Sequence, residues 1–258
     1  MTDAPLLAVQ GLSRRFGGLV ALDDLTFAIR QGELVSLIGP NGAGKTTAFN
    51  LIAGFLAPTS GRVVYAGRDL TGMAPHRRAR LGLVRTFQQA AVFGDQTAVD
   101  CVVAGSHVRA EAGIQAGFFG TPGARRDEAS RYEAALEVLR LCGLDSRATS
   151  RASDLPYGEQ KVLGIAIALA SRPRLLMLDE PTAGLNAVES ESVSAILDRI
   201  NEQGVTVFVV EHDMRVVMGL SDRVIVLDHG QVIADDTPDR VRADDAVIRA
   251  YLGDFDIA

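Results

Sequence analysis

The residues with the clearest chemistry lie in one glycine-rich stretch, where Gly39, Gly44, Lys45 and Thr46 follow the pattern G-x-x-x-x-G-K-T. Glycines let the backbone turn tightly enough to direct several N–H groups at one point, and a helix N-terminus adds to that positive field. A lysine and a threonine hydroxyl at this spacing suit a phosphate chain and its Mg²⁺. The stretch therefore predicts a site for the phosphates of a nucleotide.

The neighbouring residues predict the strand and helix that position this stretch. The apolar run 34–38 predicts a buried strand that ends at Gly39, and a helix is expected to begin at Lys45. Strand, glycine-rich turn and helix in this order form the context of a P-loop. Lys45 is expected to lie against the β- and γ-phosphates, and Thr46 to ligate Mg²⁺. The predicted nucleotide contacts are Gly39, Pro40, Asn41, Gly42, Ala43, Gly44, Lys45, Thr46 and Thr47.

In the segment 174–178 an arginine is followed by four apolar residues, which predicts another buried strand that ends in Asp179 and Glu180. An acidic residue at such a strand end matches a Walker B element, in which Asp179 would hold Mg²⁺ directly or through water. Glu180 stands where a general base could orient or deprotonate an attacking water. An acidic turn after a strand is common by itself, so this interpretation depends on the P-loop.

Length and composition limit the class of protein. The chain has 258 residues, 47% of them hydrophobic, which suffices for one large α/β domain or two small ones. It lacks the pattern of a secretory signal, and its longest apolar runs fall short of the roughly 20 residues that span a bilayer. We expect a soluble protein that could still dock on a membrane protein. The net charge of −6 argues mildly against non-specific nucleic-acid binding.

Two smaller features receive structural interpretations. Cys101 and Cys142 are far apart in apolar surroundings, which predicts reduced core residues of a cytosolic protein. The basic cluster 76–80 is expected to be a solvated helix face.

The rest of the pattern predicts buried strands that alternate with helices, which indicates a parallel α/β sheet. Further strands are expected over 6–12, 25–30, 62–65 and 205–210, with a hairpin over 223–227 and 231–234. Helices are expected over 97–110, 125–142 and 188–201, with one that opens at 155–160 and a weakly helical tail over 237–253.

A third motif points to a family. The segment L-P-Y-G-E-Q at 155–160 opens a predicted helix shortly before the Walker B strand, and it resembles the signature motif of ABC-type ATPases. Gln88 stands at the position of that family's Q-loop glutamine, 183–186 at its D-loop, and His212 at its switch histidine. With these motifs in the family's order across almost the whole chain, the protein is identified as a member of that family.

The resemblance implies roles for individual residues. Gln88 would contact Mg²⁺ or the lytic water, Glu180 would act as the base, and His212 would touch the γ-phosphate and hold Glu180 in place. Phe16 would stack on adenine, with a core phenylalanine as the alternative interpretation.

The family hydrolyses ATP between two subunits, with the P-loop of one facing the signature of the other. The implied contacts to the partner's ATP are Leu155, Pro156, Tyr157, Gly158, Glu159 and Gln160. The implied D-loop residues are Ala183, Gly184, Leu185 and Asn186, of which Gly184 and Asn186 would cross to the opposite subunit. The common signature is Leu-Ser-Gly-Gly-Gln, so Pro156 removes a hydroxyl and Glu159 replaces an amide. These departures put a simple symmetric homodimer in doubt. The resemblance implies a second ATPase subunit as partner, either a copy of this chain or a different subunit, and in the subgroup described below two different subunits commonly pair.

The implied fold is an α/β P-loop NTPase of the RecA-like kind, with an antiparallel β-subdomain and an inserted α-helical subdomain. The whole chain, 1–258, would be a single ABC ATPase domain. Its core would comprise 1–87 and 161–258, and the helical subdomain would comprise 88–160 with the signature motif at its end.

Further segments resemble one subgroup, the ATPase subunits of branched-chain amino acid importers and their amide and urea relatives. They are 85–88, 113–123, 180–186, 211–214 and 247–253. The resemblance implies ATP and Mg²⁺ as cofactors and a second ATPase subunit, two membrane permeases and, indirectly, a periplasmic or extracellular solute-binding protein as partners. It implies no nucleic acid, and a cytoplasmic location at the inner face of the cell membrane. The permease would dock on 90–100, where Phe93 is the exposed apolar candidate, with an ordinary core phenylalanine as the alternative interpretation.

The sequence pattern is also compatible with other functions. An ATPase of lipid or lipopolysaccharide export shares much of this pattern. A soluble, non-transport ABC ATPase is disfavoured because the chain has neither a long coiled coil nor a second cassette. A GTPase is disfavoured because no Asn-Lys-x-Asp motif occurs. This sequence does not determine which solute is transported, since in such importers the binding protein and the membrane subunits select it.

Overall fold

The computed structural model describes residues 4–86, 95–106 and 122–252. Its strands are β1 (Leu7–Phe16), β2 (Leu19–Ile29), β3 (Leu34–Ile38), β4 (Ser60–Tyr65), β5 (Arg68–Asp69), β6 (Leu83–Arg85), β7 (Leu175–Asp179), β8 (Thr206–Val210), β9 (Arg223–Asp228) and β10 (Gln231–Asp236).

Its helices are α1 (Lys45–Ala53), α2 (Pro75–Arg80), α3 (Ala98–Ser106), α4 (Pro122–Leu141), α5 (Tyr157–Leu169), α6 (Ala187–Glu202), α7 (Met214–Leu220), α8 (Pro238–Arg242) and α9 (Asp245–Leu252). Among these described helices, none is both long and apolar enough to cross a membrane.

The larger sheet has the strand order β10-β9-β3-β8-β7-β6. Strands β6, β7, β8, β3 and β9 pair in parallel, and β10 closes one edge as an antiparallel hairpin with β9. This confirms the predicted α/β class. Because β3, β8 and β7 are parallel neighbours, their carboxyl ends meet at one edge of the sheet, where open α/β sheets bind ligands.

The core lies on both faces of this sheet. Along β7, Leu176 and Leu178 pack with the helical cluster that contains α3, α5 and α6, whereas Leu175 and Met177 pack with α1 and the smaller sheet. A strand buried on both faces is apolar at every position. This explains why the central strands are continuous apolar runs in the sequence.

The smaller sheet is antiparallel, in the order β2-β1-β4-β5. Leu25, Phe27 and Ile29 of β2 are buried and alternate with more exposed neighbours, as their pattern predicts. The strand β1 extends beyond the predicted 6–12 and reaches Phe16, which pairs with Leu19 across a tight turn. Cross-strand hydrogen bonding sustains this end of the hairpin after the apolar alternation has stopped.

The helical region follows the predicted order. The helix α3 begins one residue after the predicted start at 97, and the last part of that prediction, like most of 113–123, lies outside the described residues. The predicted helix 125–142 corresponds to α4. The predicted boundary between 160 and 161 falls inside α5, so one helix would belong to both parts of that division.

The C-terminal segment packs beside the P-loop strand. Val241 of α8 and Val247 of α9 share a core cluster with Ile38, the last residue of β3, and Tyr251 lies against it. Burial raises the pKa of Tyr251 to about 12, although the nearby Gly39 backbone acts to lower it. The weakly helical tail of the prediction is therefore two short helices attached to the core.

The expectation that 76–80 forms a solvated face is wrong for Arg78. Its neighbour Arg77 is exposed, but Arg78 is only 1% exposed. Its guanidinium donates hydrogen bonds of 2.6–3.0 Å to the carbonyl oxygens of Leu51, Ile52, Leu70 and Met73. Two of these carbonyls belong to the last turn of α1, where C=O groups lack the usual helical donor four residues on, and that of Leu51 also accepts from the Gly54 amide at 3.2 Å. Arg78 thus satisfies the end of the P-loop helix.

We expect Arg78→Ala to lower the free energy of unfolding by about 3–5 kcal/mol, because it leaves buried carbonyls without their charged donor. Arg77→Ala is the matched control on the same helix and should change it by no more than about 0.5 kcal/mol. Urea unfolding of both variants measures the difference, and equal midpoints would contradict this role of Arg78.

The two cysteines are buried thiols, as predicted. Burial raises the pKa of Cys101 to about 11 and that of Cys142 to about 12. Since the thiolate is the reactive form, both thiols are protected at neutral pH by their protonation as well as by their position.

A thiol reagent at pH 8 should therefore label the native protein at least about 100-fold more slowly than the same protein in urea, where a cysteine has a pKa of about 8.5. Mass spectrometry of the alkylated protein measures both rates. Rapid labelling of either cysteine in the native state would contradict the described burial.

Candidate nucleotide-binding site

The glycine-rich turn lies between β3 and α1, as predicted. Gly39 has φ 151° and Gly44 has φ 101°, which are conformations that favour glycine. A Cβ atom at Gly39 would overlap the carbonyl oxygen of Leu227, and one at Gly44 would lie 2.6 Å from the Ala21 carbonyl oxygen. The smaller sheet and the β9-β10 hairpin thus enclose the turn too closely for a side chain at either position.

Lys45 is folded back onto the turn. Its Nζ donates hydrogen bonds to the carbonyl oxygens of Gly39, at 2.6 Å, and Pro40, at 2.9 Å. Burial lowers the pKa of Lys45, and the nearby Glu180 carboxylate acts in the opposite direction. An ammonium held at the centre of an amide-lined turn can exchange these carbonyls for phosphate oxygens.

The acidic strand end lies at the same sheet edge. Asp179 is 7% exposed, and its Oδ2 accepts a hydrogen bond of 2.8 Å from Arg85. Glu180 is partly exposed, and its φ of 48° places a non-glycine residue in the left-handed region. Lys161 of α5 donates to the Glu180 carbonyl oxygen at 3.1 Å and helps to hold this turn.

His212 follows the end of β8, the strand that lies between β3 and β7 in the larger sheet. Its Nδ1 lies 3.7 Å from Oε1 of Glu180, so the two side chains are neighbours at a distance longer than a hydrogen bond. Both are accessible, with 59% and 39% of the side chains exposed. The structure therefore brings together Lys45, Asp179, Glu180 and His212, which are well separated in the sequence.

Sequence reasoning missed Glu211, a buried residue that connects the chain segments carrying Glu180 and His212. Its carboxylate is 1% exposed. One oxygen accepts from the Thr182 amide at 2.9 Å and hydroxyl at 2.6 Å, and the other accepts from the His212 amide at 3.1 Å. Glu211 thus joins the turn after Glu180 to the backbone of His212. The local sequence signal for this role is an acidic residue directly after an apolar strand.

Phe16 lies on the surface rather than in the core, with 43% of its area exposed. The Arg14 guanidinium lies 4.6 Å from the ring centroid, in cation–π geometry, and also donates to the Ala57 carbonyl oxygen at 2.8 Å. An exposed ring supported on one face can accept a flat partner on the other. The alternative interpretation of Phe16 as a core residue is therefore wrong.

The signature segment has its own set of contacts. Pro156 caps α5, and the Gln160 side chain donates to the Leu155 carbonyl oxygen at 2.8 Å. Tyr157 is 57% exposed. Glu159 accepts from Arg147 at 2.9 and 3.2 Å, which offsets part of its negative charge.

Two glycines bring the signature and D-loop segments together. A Cβ atom at Gly184 would lie 3.2 Å from the Tyr157 ring, and one at Gly158 would lie 3.1 Å from the Glu189 carboxylate. Among the described residues, these contacts join the signature segment to the start of α6. The P-loop does not take part in them.

Asn186 has a structural role that the D-loop interpretation did not foresee. It is the N-cap of α6, and its side chain accepts from the Glu189 amide at 3.0 Å. The Glu189 carboxylate accepts in return from the Asn186 amide at 2.9 Å, which completes a capping box. The spacing Asn-x-x-Glu before an apolar helix was a signal for this cap.

Gln88 and Phe93 lie outside the described residues. Their predicted contacts with Mg²⁺ or water and with a permease stay predictions.

Comparison with known families gives two matches. The family described as ABC transporter matches residues 22–183. The family described as branched-chain amino acid ATP-binding cassette transporter matches residues 231–257.

Two curated relatives align over nearly their whole length. They are the high-affinity branched-chain amino acid transport ATP-binding proteins LivG of Salmonella typhimurium, 42% identical, and BraF of Pseudomonas aeruginosa, 43% identical. Each alignment covers 97% of this chain and 98% of the relative.

Two solved structures have the same fold. The ADP conformation of MJ1267, an ATP-binding cassette of an ABC transporter, is 28% identical and aligns over 97% of this chain and 99% of that one with a TM-score of 0.85. A dimeric post-hydrolysis state of the cassette MJ0796 bound to ADP and Pi is 26% identical. It aligns over 90% of this chain and 98% of that one with a TM-score of 0.74.

We expect Glu211→Gln to slow nucleotide hydrolysis at least about tenfold and to leave the nucleotide Kd within about twofold. The amide keeps the shape of the side chain but turns an N–H₂ group toward one of its donors, which removes a charged hydrogen bond of about 1.5–3 kcal/mol. Glu202→Gln, at the exposed end of α6, is the matched control. An unchanged rate for Glu211→Gln would show that Glu211 does not position the site.

Proposed function

The chain belongs to the ABC transporter family, and we propose that it is the ATP-binding and ATP-hydrolysing subunit of an importer for branched-chain amino acids or related small solutes. The observation that carries this proposal is the similarity to two transport ATP-binding proteins for branched-chain amino acids over nearly the whole chain. The second family match, at 231–257, favours this function over lipid or lipopolysaccharide export.

The geometry of the sheet edge supports a role for each residue. Lys45 and the amides of the P-loop would bind the β- and γ-phosphates, and the Phe16 ring would stack on the adenine. Glu180 would accept the proton of the attacking water, and His212 would contact the γ-phosphate beside it. The distance of 3.7 Å between the Glu180 and His212 side chains supports this division of roles.

The donor set also fits Mg²⁺. Magnesium is commonly held by one or two carboxylates together with substrate phosphates and waters, and the Thr46 hydroxyl and Asp179 carboxylate provide such oxygens. When bound, the ion would neutralise charge that develops on the phosphates. Thr46 is accessible at the start of α1, and Asp179 is held by Arg85.

A second ABC ATPase subunit is proposed as the partner at the signature face. Tyr157 is 57% exposed and Val188 of α6 is 72% exposed, so this face presents apolar surface around the start of two helices. The dimeric state of MJ0796 supports such an assembly. Because Arg147 offsets the charge of Glu159, this residue is compatible with a partner's phosphates.

Two membrane permeases and a solute-binding protein complete the proposed importer. The ATPase would lie at the cytoplasmic face of the cell membrane, attached through the permeases.

The test uses Glu180→Gln, which keeps the size of the side chain but removes the base. We expect ATP hydrolysis to fall at least about 100-fold while ATP binding persists, so that ATP-bound dimers accumulate. Single-turnover kinetics and size-exclusion chromatography with ATP measure both effects. Wild-type turnover by this variant would exclude Glu180 as the base.

The same variant identifies the partners. Tagged Glu180→Gln, purified with ATP from detergent-solubilised membranes, should retain two polytopic proteins and a second ATPase subunit. Wild-type protein without ATP is the control and should retain less. Recovery of ribosomes or DNA, or of no membrane protein, would contradict the importer and leave the ATPase activity as a separate result.

A further inference from the structure

Arg85 connects the two elements that carry the proposed Mg²⁺ ligands. It is the last residue of the edge strand β6, and its side chain is 16% exposed. One guanidinium nitrogen donates to Oδ2 of Asp179 at 2.8 Å, and another donates to Oδ1 of Asn50 at 2.6 Å. Asp179 ends β7, and Asn50 lies on α1.

Two aromatic rings hold the guanidinium in this position. Its central carbon lies 5.7 Å from the ring centroid of Phe49 and 5.5 Å from that of Phe55. A planar guanidinium that donates in two directions and contacts aromatic rings is restricted in orientation, which an ammonium group in its place would not be.

The position of Asn50 is coupled to that of Thr46 because both residues belong to α1. The two residues are four apart on α1, so they lie on the same face of the helix. The chain of contacts Thr46–α1–Asn50–Arg85–Asp179 therefore relates the helix that carries one proposed ligand to the strand that carries the other.

We propose that Arg85 is a positioning residue that sets the separation between the Thr46 hydroxyl and the Asp179 carboxylate for Mg²⁺ binding. The inference rests on the proposed ATPase function. Arg85 occupies Oδ2 of Asp179 and leaves the other carboxylate oxygen for the ion or its water. Loss of this link frees the buried Asp179 carboxylate to reorient. The affinity for Mg²⁺ should therefore fall, whereas the affinity for the nucleotide phosphates should not.

Two possible roles of Arg85, as a nearby charge and as a positioning residue, predict opposite changes in Mg²⁺ affinity. If Arg85 acted only as a nearby positive charge, its removal would strengthen Mg²⁺ binding, because like charges repel. If it acts by position, its removal weakens Mg²⁺ binding, and so does the loss of Asn50, which carries no charge. The direction of the change therefore separates the two effects.

The experiment measures the ATP Kd by calorimetry over a range of free Mg²⁺, and again in EDTA. In Arg85→Met and Asn50→Leu we expect the Mg²⁺ midpoint to rise at least about fivefold, with the Kd in EDTA within about twofold of wild type. Arg85→Lys keeps the charge but cannot donate in the same fork, and it should resemble Arg85→Met. Asn50→Asp keeps an acceptor for Arg85 and adds a negative charge, so its Mg²⁺ midpoint should not rise.

An unchanged midpoint in both Arg85→Lys and Asn50→Leu, or a lower midpoint in Arg85→Met, would overturn the inference. If Arg85→Met does not fold, the milder variants decide it. The wild type is measured first, because a wild-type ATP Kd that does not depend on Mg²⁺ would contradict the proposed function itself. A Mg²⁺-dependent wild type with unresponsive variants would contradict only the role of Arg85.

Discussion

The site depends on one constraint, which is that three neighbouring parallel strands end at the same edge of the larger sheet. The strands β3, β7 and β8 deliver the P-loop, the pair Asp179-Glu180 and His212 to that edge. Parallel pairing fixes the register of these ends to within a residue, and apolar side chains on both faces hold the strands in place. Residues that are far apart in the chain thus meet at one edge because the strands that carry them are neighbours.

Buried polar side chains add the precision that the apolar core does not provide. Arg78 completes the end of α1, Glu211 joins the turns after β7 and β8, and Arg85 links α1 to β7. In each case a charged group is withdrawn from water and bonded to backbone or polar groups of different elements. Because an unpaired group there would be costly, each one restricts how its elements can move relative to one another.

The sequence predicted the parts of this structure in which chemistry follows directly from an apolar run. The P-loop after β3 and the acidic pair after β7 are of this kind, because a buried strand and its end are local signals. The supporting residues could not be predicted in the same way. Arg78 has the same local surroundings as the exposed Arg77, and Glu211 resembles any acidic residue at a strand end. Their roles depend on carbonyls and amides that only the folded chain brings near them.

The left-handed backbone at Glu180 has a consequence for how this position could vary. Glycine adopts a φ of 48° readily, whereas residues with a Cβ atom rarely do, so the backbone of this turn favours glycine. Glycine would also remove the only carboxylate at the position. Stability and chemistry therefore make opposite demands on one residue. A library screened for thermal tolerance alone would be enriched in inactive variants at this turn, while one screened for turnover would retain the strained backbone.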